Sequence, residues 1–185
     1  MIAVHARYRG NDSRRADLVK RSAEALATLD GVGHFDVVGV EDIRTHVADA
    51  EAACMLVMAL LSDGNWAVGI GITQTGPAIY AASDAVGVKA GTVGVVVEKQ
   101  QPGTDAADIA STFALLGYVL AKRTVEGREA TALVRSGFNQ NEAAAQLGIS
   151  KQAMSQRLQA AGWHAEQSGW QLAVNLMSRA AGAPQ

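Results

Sequence analysis

Five polar side chains, Lys151, Gln152, Ser155, Gln156 and Arg157, crowd into the segment SKQAMSQRL between Ser150 and Leu158. On a helix they avoid the stripe that Met154 and Leu158 mark four residues apart. Their chemistry suits double-stranded DNA. Gln reads adenine through two hydrogen bonds, Arg reads guanine or phosphate, and Lys and Ser hold the backbone, all from the N-terminal half of a helix that fits the major groove.

Three short helices must position this face. The first is predicted over about 129–136 and stops at Gly137. Asn139 caps the second, with Glu142 three residues on, in the spacing of a capping box. The turn is LGIS, where Gly148 takes positive φ and Ser150 accepts from the free amides of the third helix. Ala144, Leu147, Ile149, Met154 and Leu158 supply a small core. With Ala144, Gly148 and Met154 at these positions, the stretch resembles the helix-turn-helix family of the sigma-factor region-four type. That resemblance implies a DNA-contacting set of Asn139, Gln140, Ser150, Lys151, Gln152, Ser155, Gln156 and Arg157. A simple αα-hairpin is the alternative.

The formal net charge of the whole chain, −2, hides an asymmetry. Residues 1–119 carry nine basic against fourteen acidic side chains, whereas residues 120–185 carry seven against four. The predicted reading helix offers only Lys151 and Arg157, so a single copy binds DNA weakly and a homodimer is expected. In the following segment, Trp163, Trp170, Leu172, Val174 and Leu176 read mostly as core for the small helical domain, with a dimer contact as the alternative.

Before residue 104 the pattern alternates strand and helix, an α/β layer. MIAVHARY is a strand, Leu18 to Leu29 a helix, and HFDVVGVEDIRTHV a hairpin around Gly39 to Asp42. Asp49 caps an apolar helix that runs to Leu61. WAVGIGI is a glycine-bearing strand, Pro77 opens the next helix, and TVGVVVEK is a strand expected to be buried on both faces. GIGITQTG lacks the third glycine of a dinucleotide fingerprint, so Gly69 and Gly71 are read as marks of close backbone packing. After QQPGT, Thr104 is the expected N-cap of a connector helix. The predicted division is 1–103 α/β, 104–124 connector and 125–185 helical.

Cys54 sits in an apolar run and reads as a buried small hydrophobe, and His5, His34, His46 and His164 lack ligand spacing. No apolar run reaches the roughly 20 residues that span a bilayer, and the N-terminus lacks a signal-peptide pattern, so a cytoplasmic protein without a membrane partner is expected.

The order of elements, with GIGI, GPAIYAA and a terminal RLQAAGW, resembles the SatD family over nearly the whole chain. That resemblance implies an N-terminal part with a ferredoxin-like, nucleotide-cyclase-like fold. Cyclases use acids from the first strand and the hairpin to hold two metal ions, but this first strand carries no carboxylate before Asp12, and the hairpin offers Glu41 and Asp42. These three are read as solvated surface acids, and no catalytic residue, metal or cofactor is predicted. The expectation is a dimeric DNA-binding regulator with room for a small-molecule or nucleotide effector. The alternatives are a nucleotide-processing enzyme and a protein-interaction module without DNA binding.

Overall fold

Strict alternation sends β1 (Ile2–Tyr8) to the centre of a five-stranded mixed sheet. Ile2, Val4, Ala6 and Tyr8 enter the large core, while Ala3, His5 and Arg7 face the other side. The computed structural model describes residues 1–99 and 103–182. From β1 the chain continues through α1 (Arg15–Leu26), β2 (Asp36–Val38), β3 (Asp42–Val47), α2 (Ala50–Asp63), β4 (Trp66–Thr73), α3 (Ala78–Ala85) and β5 (Val93–Glu98). Five helices follow: α4 (Asp105–Ala121), α5 (Val125–Arg135), α6 (Gln140–Gln146), α7 (Lys151–Ala160) and α8 (Trp163–Ala181). Residues 100–102, within the stretch where the composition changes, lie outside the described part.

The sheet order is β2-β3-β1-β4-β5. β1 pairs antiparallel with β3 and β4, β2 pairs antiparallel with β3, and β5 joins β4 in parallel. One face carries the large core, built with α1, α2, α4 and α8. The other is touched by α3, whose Ala78 and Ala82 pack on Ala3. Gly69, Gly71 and Gly94 make that contact close: a Cβ at any of them would overlap the backbone of α3, at the carbonyls of Ala82, Ala78 and Ala85. The glycine pattern therefore marks helix-on-sheet packing.

Two local expectations need correction. β5 is half-buried along most of its length, because it is the edge strand and, among the described residues, has no neighbour beyond it. Thr104 precedes α4 without capping it, since its hydroxyl donates to the Asp108 carboxylate at 2.8 Å.

The helical segments do not all serve one small core. Ile109, Phe113, Leu116 and Leu120 of α4, and Ala173, Val174, Leu176, Met177 and Ala180 of α8, belong to the core of the sheet. Of the apolar residues of the C-terminal segment expected to fill the small core, Trp163 packs there; Trp170 packs on the large core, and Leu172 is 49% exposed. The reason is the long α4–α8 contact, seated where Gly169 lets Leu116 approach its backbone. The small core itself consists of Ala130, Ala143, Ala144, Met154 and Leu158, with Leu147 and Ile149 packed against it.

Candidate functional site

Hydrogen bonds that close within a few residues build the α6–α7 unit. Asn139 Oδ1 accepts from the amides of Asn141 at 2.9 Å and Glu142 at 3.1 Å, and the Glu142 carboxylate accepts from the Asn139 amide at 2.8 Å. This is the full capping box. At the far end of α6, the Ile149 amide donates to the Ala144 carbonyl at 3.0 Å and the Gly148 amide to Ala145 at 3.1 Å. That pair is a Schellman closure, and it places Gly148 at φ 64°. Ser150 Oγ then accepts from the Ala153 amide at 3.1 Å and starts α7. The preceding helix, α5, begins a turn earlier than its sequence pattern suggested, with Thr124 accepting from the Gly127 amide at 3.2 Å.

Met154 and Leu158 are buried, which turns the rest of α7 outward. Lys151, Gln152, Ser155 and Gln156 are exposed, as are Ser150, Asn139 and Gln140. Gln152 and Gln156 stand four residues apart and share a face. Arg157 departs from this set, because it is half-buried beside the α5 side of the unit. The Glu126 carboxyl on α5 is held below its usual range, first by its own backbone amide, then by the Thr124 hydroxyl, with a smaller share from the charge of Arg157. Asn139 is also constrained: its oxygen serves the cap, leaving the side-chain NH₂ for an outside acceptor.

A buried ionic clamp fixes this unit to the rest of the molecule. Arg123, at the end of α4, donates through Nε to the carbonyl of Ala161 at the C-terminus of α7 (2.8 Å) and through Nη2 to Glu166 Oε2. Arg135, in the last turn of α5, donates to the other Glu166 oxygen at 2.6 Å and lies 5.6 Å from the centre of the Trp163 ring. Glu166 therefore ties α4, α5 and α8 together. Sequence reasoning missed it, since no spacing rule links residues 123, 135 and 166. The only hint was an acidic residue in the first turn of the last helix, a place where acids are common anyway.

The acids of the sheet have a different environment from the one expected. Glu41 and Asp42 are half-buried ion-pair partners, not solvated surface groups. Asp42 lies opposite Arg7 across the β1–β3 ladder and accepts from its Nε at 2.7 Å, while Glu41 accepts from Arg9 at 2.9 Å and from Arg15. Antiparallel pairing puts the Arg7 and Asp42 charges face to face. Asp12 is exposed and accepts from the Arg14 amide at 2.7 Å. His5, buried beneath them, places Nε2 3.2 Å from Asp42 and Nδ1 3.0 Å from Ser83 Oγ. Burial lowers its pKa more than Asp42 raises it, with Arg7 and Arg44 adding to the lowering.

Comparison with protein-family models, with curated proteins and with solved structures gives no match in any of the three. Among the described residues no helix is long and apolar enough to cross a membrane.

Proposed function

We propose that the protein is a sequence-specific DNA-binding transcriptional regulator of the cytoplasm, working as a homodimer, with α6 and α7 as its helix-turn-helix. The observation that carries this reading is the outer face of α7. Gln152, Ser155 and Gln156 are exposed there, and among the described residues none of these side chains has a hydrogen-bond partner. A rigid helix that presents unsatisfied donors and acceptors from its first two turns suits the base edges of the major groove. Lys151 and the hydroxyl of Ser150 supply phosphate contacts beside them.

The helices from residue 125 onward form the all-α reading part of this proposal. The α/β part is a ferredoxin-like, cyclase-like scaffold of the SatD type. Supporting that, the order β2-β3-β1-β4 is antiparallel throughout and follows the β-α-β-β-α-β chain order of a ferredoxin-like unit, with β5 added through α3. The cyclase activity itself is the weaker reading, because Arg7, Arg9 and Arg15 already engage Glu41 and Asp42. Few cations on α7 make dimerisation the natural route to affinity, with half-sites about 34 Å apart or a multiple of that.

The test is capture of fragmented genomic DNA at about 0.15 M salt, where purely electrostatic binding is suppressed. A Gln152/Ser155/Gln156 triple-alanine protein is run alongside. A shared two-fold motif that vanishes in the control supports the reading. Equal recovery of all fragments by both proteins refutes it.

A further inference from the structure

Where α2, α5 and α8 meet, a cleft of about 580 Å³ opens to the surface. Small-molecule sites span roughly 300–1,000 Å³. Met55 and Met58 of α2 and Trp163 and Trp170 of α8 form its walls, and Gln167 and Arg135 join them in the lining. Thioethers adapt to the shape of a flat ring, and indoles offer it a broad apolar face with favourable sulfur and ring contacts.

The charge of the cleft narrows the occupant. Its charged lining residues are Arg135 and Glu166, and the Glu166 carboxylate is shared by Arg135 and the buried Arg123, so the trio carries one net positive charge. Arg135 is half-exposed, and among the described residues its hydrogen-bond partner is Glu166, reached through one nitrogen. A guanidinium carries five donors, so an incoming carboxylate finds a fork in place.

We infer that this cleft binds a planar aromatic carboxylate, with the ring against the methionines and tryptophans and the carboxylate on Arg135. Glu166 keeps Arg123 when Arg135 turns to the ligand. Because Arg135 is the tie between α5 and α8, and α5 packs on α7, occupancy loosens the seat of α7 and weakens DNA binding. This last step, the regulatory one, rests on the DNA-binding reading above; the binding step does not.

Calorimetry of the full-length protein with 2-naphthoate, and with the uncharged 2-naphthalenemethanol, tests the site. Saturable one-to-one binding of the acid is expected, with the alcohol about tenfold weaker, the scale of one charge-assisted hydrogen bond. Arg135→Gln should weaken the acid by a similar factor and leave the alcohol unchanged. Ala59→Phe, which fills the cleft and leaves the Arg135–Glu166 pair intact, should abolish both, and circular dichroism establishes that each variant is folded. Absence of binding, equal binding of acid and alcohol, or binding indifferent to both variants overturns the proposal. So does a doubling of mass that Ala59→Phe reverses in a protein that takes no naphthoate, since a second copy would then be the occupant. DNA retention measured with and without naphthoate separates the readings. A protein that takes naphthoate but never retains DNA supports the site and sinks the DNA-binding function, while unchanged DNA affinity at saturating naphthoate removes the regulatory link.

Discussion

Arg123 and Glu166, 43 residues apart, form a buried ion pair through the Arg123 Nη2 and Glu166 Oε2 atoms, and the same arginine holds the last carbonyl region of α7. The orientation of α7 against the sheet is therefore tied to charges that water scarcely reaches. Removing one member of such a pair leaves the other buried and unpaired. Arg123→Met is expected to cost about 3–5 kcal/mol in urea unfolding, whereas Arg123→Met with Glu166→Leu should recover a good part of it. A double variant no more stable than the weaker single one would show that the clamp is not the source of the loss.

For the proposed reading face, base recognition and backbone contact separate by substitution. Gln152→Ala should lower affinity for a selected site by about 1–3 kcal/mol and leave scrambled DNA unaffected, while Lys151→Ala should weaken both alike and reduce the salt slope. Fluorescence anisotropy on matched and scrambled duplexes reads the difference. Parallel losses for Gln152→Ala on both duplexes would remove that residue from the base-reading set.

Two glycines differ in why they are needed. Gly148 has open space around it and φ 64°, so Gly148→Ala should cost about 1 kcal/mol through backbone strain alone. At Gly69 an added methyl meets the backbone of α3, which cannot yield without leaving the sheet, and Gly69→Ala should cost more, by about 1–3 kcal/mol of overpacking. Thermal unfolding of the pair decides; equal costs would mean that α3 has room to move.

His5 makes stability depend on pH in a definite direction. Its folded pKa lies below the usual 6.5, chiefly because burial disfavours the charged ring. The unfolded chain therefore binds the extra proton first as pH falls. The stabilisation is complete above pH 6.5, is lost between 6.5 and the lowered folded value, and changes no further below it. The groups facing the ring are Asp42, Ser83, Arg7 and Arg44. His5→Gln should flatten that segment of a plot of melting temperature against pH, and an unchanged slope would assign it to other groups.

Cys54 is fully buried, and burial, helped by the charge of Glu166, pushes its thiol up to about 12. A disulfide reagent at pH 8 should therefore react at the rate of unfolding, with prompt reaction only in denaturant. Fast labelling of the folded protein would contradict this burial.

Most of what could be read along the chain lies in contacts between near neighbours. Asn139, Glu142, Gly148 and Ser150 exchange hydrogen bonds within a few residues, so their spacing alone specifies caps and a turn. Alternation in β1 and the small residues of β4 equally declare which strand faces are buried and where a helix comes close. The destination of a surface is a different matter. Whether α8 packs on the small helices or on the sheet depends on how Gly169 and Leu116 fit together, two residues 53 positions apart on different helices. The same holds for charge: Glu41, Asp42 and Glu166 look alike as isolated acids, yet each is defined by arginines that chain folding brings from elsewhere. Local backbone chemistry is written in short spacings, whereas burial and ion pairing arise from the meeting of distant segments, and that meeting created the Arg123–Glu166–Arg135 clamp and its cleft.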